Sequence, residues 1–391
     1  MNTPLRLAAL AVLFPALSFA VYAPIPEQEQ GKALSFQLGA SVYQDSNIFG
    51  SATGEIDSLV YSVNPSVSYN ASVDDQTFVS ASYSLNLDHV VDRPGKKDLT
   101  SHTLNARVAH AFSQSTSLDV SDSYLISKNP QSLLAGLTLN TDQSFKMNQF
   151  NARFTTTAGP KTGVVFKYRN IDYAYDLDTL ATQLDRMEHL AGVELSFAVL
   201  PVTKLAAEYR YQNVAYDAGS AVKDKRSHFV LGGADYNPSE ALTLTFRGGF
   251  EDRTREGAAS TTGPYVELST RYTYGQNSFV AGGYVYTLEE ASDVARFTDT
   301  KVNRFFVNVQ HRLSPLVTAS GSLTWEPSQL QGRAGVPDVD ETTTRVGLAL
   351  SWLPTKNWTI SATFDADQIA SDDPVRDQDR TRYGVSARFS F

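Results

Sequence analysis

The chain has 391 residues and not one cysteine, so no disulfide frame can hold it together. Beyond its first 20 residues, no run approaches the ~20 consecutive apolar residues that a membrane helix requires. A basic surplus is missing too: 33 Lys and Arg stand against 42 Asp and Glu, a formal net charge of −9. With a pI near 5.2, the chain has no excess of cations to neutralise phosphates, which excludes nucleic acid as a partner. Enzyme signatures are also lacking: there is no Gly-x-Ser-x-Gly elbow, P-loop, His-Glu-x-x-His or EF-hand loop. The six histidines, His89, His102, His110, His189, His228 and His311, stand apart from one another in sequence. The chain reads as a non-enzyme with no cofactor or metal implied.

What is present starts with a leader. "MNTPLRLAALAVLFPALSFA" has one arginine, a short apolar run interrupted by Pro15, and small residues at Ser18 and Ala20. That is the layout of a secretory signal peptide over 1–20, with cleavage expected after Ala20 or, second, after Ala23. Residues 21–32 then form a short periplasmic segment, and 33–391 a single β domain. The apolar run is too short to span a bilayer as a helix.

Aromatic residues are abundant, with 19 Tyr and 21 Phe against three Met, a balance suited to a boundary between polar and apolar surroundings. About 18 segments of roughly 10 to 13 residues alternate apolar and polar positions, the span of a tilted transmembrane strand. In "ALTLTFRGGF", for example, Leu242, Leu244, Phe246 and Phe250 oppose Thr243, Thr245 and Arg247. Short turn-forming links, such as 158–161 and 200–203, alternate with long polar loops at 44–56, 88–99, 127–144, 172–187, 216–226, 252–262, 288–301, 326–341 and 367–380. This alternation predicts an all-β fold: an antiparallel outer-membrane barrel of about 18 strands, with short periplasmic turns, long extracellular loops and both termini in the periplasm. A soluble sandwich, barrel or propeller would turn the same apolar face inward. Against that stand aromatic residues paired at i and i+2 on the apolar face. Tyr209 with Tyr211, Tyr272 with Tyr274, and Tyr284 with Tyr286, together with Trp352 and Trp358, are the expected aromatic girdle.

The last segment alternates to its final residue, with Tyr383, Val385, Phe389 and Phe391 on one face. It is expected to be the closing strand, paired with the first. It also resembles the terminal signature by which outer-membrane proteins are recognised for insertion, which makes the barrel-assembly machinery a partner beside outer-membrane lipid and lipopolysaccharide. One residue resists the pattern. Asp122, among Leu118, Val120, Tyr124 and Ile126, would face lipid unless a bulge re-aims it or the strand lies elsewhere.

Positions expected to line the lumen lean basic. Arg107, Arg153, Lys167, Arg169, Arg210, Arg247, Arg271, Arg304, Arg345, Arg382 and Arg388 outnumber Glu194, Glu208, Glu251, Glu267 and Asp365. Such a wall would guide an anionic solute, or else its charges pair across neighbouring strands and satisfy one another. The loop carboxylates Glu289-Glu290, Asp372-Asp373 and the run 337–341 are either solvated or a Ca²⁺ site. A barrel of this size is wide enough for an aqueous channel. Loops 127–144 and 326–341, the longest, are the candidates to fold inside it.

The first strand leads into "YQDSNIFGS". The stretch Asp45, Ser46, Asn47, Ile48 and Phe49 resembles the opening motif of the β-barrel porin 2 family, which includes outer-membrane proteins of exopolysaccharide operons, the EpsL type. The resemblance implies a Gram-negative outer-membrane channel serving exopolysaccharide export, with polysaccharide and periplasmic export components as partners. A diffusion porin for small anionic or sugar solutes, and a structural or adhesive barrel, remain as alternatives. By their own chemistry Asp45 and Asn47 suit a turn, and Ile48 with Phe49 an apolar contact at the barrel rim.

Overall fold

The computed structural model describes residues 33–128, 144–217, 223–255, 260–291 and 296–391. The expected leader, the segment 21–32 and most of loop 127–144 lie outside these residues. Eighteen strands follow one another along the chain: β1 (Leu34–Asp45), β2 (Ser58–Ser72), β3 (Thr77–Val90), β4 (Asp98–Ser113), β5 (Thr116–Ser127) and β6 (Phe145–Gly159). Then come β7 (Thr162–Tyr175), a short helix α1 (Asp178–Leu184), β8 (Arg186–Leu200), β9 (Thr203–Tyr216), β10 (Lys225–Ser239), β11 (Leu242–Arg255) and β12 (Thr261–Gly275). The rest are β13 (Ser278–Glu290), β14 (Phe297–Ser314), β15 (Val317–Gly332), β16 (Val339–Trp352), β17 (Trp358–Ser371) and β18 (Gln378–Ser390).

Every strand pairs antiparallel with its sequence neighbours, and β1 also pairs with β18, so the sheet closes into a barrel. Closure leaves no edge whose backbone groups lack partners. The terminal segment is indeed the closing strand. Its ladder on β1 runs from Gln37 opposite Ser390 to Asp45 opposite Arg382. Even the last residue takes part, as the Phe391 amide donates to the Phe36 carbonyl at 3.0 Å and their rings stack at 5.6 Å.

One end of the barrel carries the eight short turns and the other the long connections. The strands, at 12 to 18 residues, are longer than the alternation suggested. Loop 326–341 is mostly β15 and β16, with only 333–338 between them. The ladder continues beyond the apolar outer band towards the long loops, where the inward face buries charged groups and apolar ones such as Val60, Val90 and Leu330, so the apolar-out, polar-in period is lost while the hydrogen bonding persists.

The outer face is apolar and exposed, as at Val230, Phe250 and Val385. All eight aromatic residues assigned to a girdle point outward. Tyr272, Tyr274, Trp352 and Trp358 lie near the short turns; Tyr209, Tyr211, Tyr284 and Tyr286 lie about midway along their strands. The six histidines are outward too, where Tyr hydroxyls meet His102, His189, His228 and His311 at Nδ1 within 2.8–3.0 Å. Asp122 also lies on this face, opposite Ala106 and Phe150, in a strand with no bulge at that point. Neither expected escape applies. Instead its carboxylate accepts hydrogen bonds from the outward Asn148 amide at 3.2 and 3.3 Å.

Candidate functional site

The inner wall divides into two unlike halves. From β7 to β14 it is packed. Lys167 (β7) reaches Glu194 (β8) and Glu208 (β9), each at 2.9 Å. Arg247 (β11) meets Asp235 (β10) at 2.9 Å and reaches back to Glu194 at 3.1 Å. Arg210 (β9) holds Glu208 at 2.8 Å, donates to the Tyr265 hydroxyl (β12) at 3.1 Å, and lies 3.6 Å from Glu267. Several of these links jump three strands, about 14 Å along a flat sheet, so the wall must curve sharply here to bring such side chains together. Glycine permits that curve: a Cβ on Gly249 would meet the Val230 carbonyl oxygen at 1.9 Å, and one on Gly233 the Phe246 carbonyl at the same distance. The bend leaves Glu208 only 3% exposed and Tyr265 fully covered, its ring edge-on to Phe229 at 5.5 Å.

Towards the long-loop end the same half is knitted further. Arg253 binds Glu251 at 3.0 Å and also Asp299 of β14, and Arg255 donates to Asp299 at 2.6 Å. Lys225 pairs with Glu290, and Arg304 with Glu289, at 3.2 Å, and Glu326. At the same end, over β6 and β7, sits α1, whose Leu180 and Leu184 bury against the inward Phe145, Met147, Ile171, Tyr173 and Tyr175. Among the described residues, 176–185 is thus one segment that folds inward; of the expected candidates, most of 127–144 lies outside the described residues, and 326–341 contributes Val336 to a buried cluster with Ala291, Phe297, Leu330 and Val339. Lys223, from the β9–β10 connection, donates to the Gln183 carbonyl at 3.1 Å. Burial, reinforced by the charge of Arg333, pushes its ammonium below the usual lysine range.

From β15 through β18 and β1 to β6 the inner side chains towards the short-turn end and at mid-height are mostly short, polar and partly exposed, whereas at the long-loop end they are covered, as at Val60, Val90, Leu99, Leu330 and Ile369. Here hydroxyls and amides link across strands: Ser62 to Asn86 at 2.8 Å, Ser123 to Asn105 at 2.8 Å, Ser351 to Ser361 at 2.9 Å. Charges are sparse. Arg107 forks onto Asp119, its Nε at 2.8 Å, and Arg382 holds Asp367 at 3.0 Å. Arg153, Arg345 and Arg388 project into this half without an ion pair among the described residues. Asp365 stands opposite Arg382 and Gly347.

All sixteen residues expected to line the lumen do point inward, but about half are sealed from water in the packed half. Among these are Arg169, Glu194, Glu208, Arg210, Arg247, Glu251 and Arg304; Arg271 lies over the Phe279 ring at 3.9 Å. Nor is the wall as basic as the sequence suggested. Asp119, Asp235, Asp299, Glu326 and Asp367 balance it, joined by carboxylates that had been read as loop charge or Ca²⁺ ligands. Glu289 and Glu290 are ion-paired as above, Glu341 holds Arg376 at 2.8 Å, and Asp373 holds Arg296 at 2.7 Å. Arg253 and Arg255, read as loop, continue the inward period of Glu251 and were legible from it.

The segment Asp45–Phe49 forms the seam. Asp45 accepts both arms of Arg380 (β18), at 3.0 and 2.6 Å, and its Oδ1 also accepts the Asn47 amide at 3.1 Å. Ser46 exchanges hydrogen bonds with the Thr381 backbone at 2.8 and 3.0 Å. The Asn47 side chain, fully covered, bonds the Ser51 and Asp379 carbonyls. Ile48 and Phe49 pack inward on Val60, Val90 and Leu99, so this loop also folds into the mouth.

No family model matches the chain, and no curated protein matches it. Among solved structures it is similar to the outer membrane protein OpdK of Pseudomonas aeruginosa, at 12% identity over 92% of this chain and 99% of that one, TM-score 0.49. OccAB3 of Acinetobacter baumannii gives 12% identity over 92% and 99%, TM-score 0.47. A bacterial polysaccharide outer membrane secretin gives 8% over 91% and 98%, TM-score 0.36. No residue role passes from these proteins to this chain.

Proposed function

We propose that the protein is an outer-membrane channel for hydrophilic solutes, with the short turns in the periplasm and the long loops outside. The observation that carries this is the pairing of an exposed apolar outer face with a partly exposed polar inner face from β15 to β6. Lipid is the solvent that suits the first and water the second. The packed half does not conduct; it stiffens the barrel and narrows the passage to one side. Exopolysaccharide passage, the finer reading, is supported by the likeness of Asp45–Phe49 to the porin family motif. The side chains of that motif act at the seam and touch no solute path of their own.

Conductance of the full chain in a planar bilayer tests the channel. A steady, ohmic conductance is expected from protein whose barrel resists detergent unfolding until heated. A silent bilayer with folded barrel would overturn the channel and favour a structural or adhesive role.

A further inference from the structure

The open half is not uniform. Inward positions 62 to 70 of β2 read Ser, Asn, Ser, Ser, Asn, and positions 80 to 86 of β3 read Ser, Ser, Ser, Asn. On either side β1 supplies Ser and Gln, β4 Thr and Asn, and β5 Ser. The charges that enter this five-strand sector at mid-height, Arg107 and Asp119, are locked on each other. Two guanidiniums without an ion pair among the described residues flank it, Arg153 on β6 and Arg388 on β18. Ser and Asn side chains offer both donors and acceptors, and on this wall they lie close enough to bond one another, as Asn105 does to Ser82 at 3.2 Å and to Ser123. Such a surface can exchange its internal hydrogen bonds for those of a solute at little net cost, provided the solute presents hydroxyls at similar density. Within these five strands the described residues offer an ionised solute no unpaired counter-charge, and the nearest, Arg153 and Arg388, stand on the strands beside it.

We propose that the β1–β5 sector is a contact strip for uncharged polyhydroxylated solutes, neutral carbohydrate chains above all. The proposal rests on the channel reading and narrows it: the passing solute is recognised by hydroxyls and not by negative charge.

The test is current interruption in a bilayer holding the full chain, with three probes of matched size: a neutral linear glucan hexamer, an oligogalacturonate, and polyethylene glycol. The glucan is expected to dwell at least about five-fold longer than polyethylene glycol, and longer than the oligogalacturonate. Replacing Ser66→Val, Ser82→Val and Asn105→Leu together should bring the glucan dwell down to that of polyethylene glycol while the open conductance stays within about a third. Should the triple variant not fold, Ser82→Ala alone is expected to shorten the dwell by roughly two-fold. Equal dwell for glucan and polyethylene glycol, a longer dwell for the oligogalacturonate, or indifference of the variants would each overturn the strip and leave the channel standing. Absence of any conductance from the folded barrel would overturn the channel, and the strip with it.

Discussion

The two halves of the inner wall use one backbone pattern to opposite ends. From β7 to β14, inward side chains are long and charged, and the wall bends until residues three strands apart, such as Arg247 and Glu194, touch. From β15 to β6, most inward side chains at mid-height are short, and the ion pairs, such as Arg107 with Asp119 and Arg382 with Asp367, join neighbouring strands only. The difference shows that an alternating barrel sequence does not by itself decide whether the lumen is filled. Side-chain length together with wall curvature decides it, and the close backbone approaches at Gly233 and Gly249 are ones that only glycine allows.

Stability should divide along the same line. Glu208→Ala in the packed half leaves Lys167 and Arg210 without their shared carboxylate, and removal of one partner from a buried ionic cluster costs about 3–5 kcal/mol. Ser84→Ala, at an equivalent inward position of the open half, should cost about 0.5 kcal/mol or less. Urea unfolding of the vesicle-inserted protein, followed by tryptophan fluorescence, measures both. Equal losses would mean that the halves do not differ in the way their burial indicates.

Ion selectivity should divide the other way. Arg153, Arg345 and Arg388 face water in the open half, so replacing all three by Ser is expected to lower the chloride-to-potassium permeability ratio by roughly two-fold or more. Lys167→Gln, in the packed half, should leave the ratio within experimental scatter, because its charge is already neutralised by Glu194 and Glu208. Reversal potentials across a salt gradient decide it. A larger shift for Lys167→Gln than for the triple variant would place the conducting path along the wrong half.

Much of this was readable from the chain. The strand count, all eight short turns and closure by the terminal Phe-bearing strand follow from a period-two pattern that lipid and water impose together. The outward turn of Asp122 was readable as well, because the register was right and only the remedy sought for it was wrong. What could not be read was partnership. Arg247 meets Glu194, 53 positions earlier, because the wall bends, and the glycines there do not say which distant carboxylate the bend will bring within reach. The inward folding of α1 was hidden for a related reason, since a short apolar group in a loop does not say which wall it will bury against; for Ile48–Phe49 the rim contact was expected, and only its partners, Val60, Val90 and Leu99, were not. Strand ends were placed short where the alternation runs between charged and polar residues, as at Arg253 and Arg255, although their spacing from Glu251 carried the inward period.

The smallest expected effect concerns the long-loop end, where Arg296 and Asp373 tie two connections together. Burial tends to raise the Asp373 carboxyl, but the Arg296 hydrogen bond and the Val375 amide outweigh it and hold the group below its usual range. A lowered folded pKa means that the stabilisation is present above the ordinary carboxylate value, about 3.9, and fades as pH falls through the folded one. The tie should therefore persist unchanged from pH 7 to pH 5 and loosen only in stronger acid. Asp373→Asn should mimic the acid state at pH 7, at a cost of no more than about 1 kcal/mol for so peripheral a pair. Hydrogen exchange of 372–377, corrected for the intrinsic pH dependence, reads this directly. Faster exchange already between pH 6 and pH 5 would show that some other group governs the loop, and a silent Asp373→Asn variant would show that the loop is held by Arg376 on Glu341, 2.8 Å apart and almost completely buried.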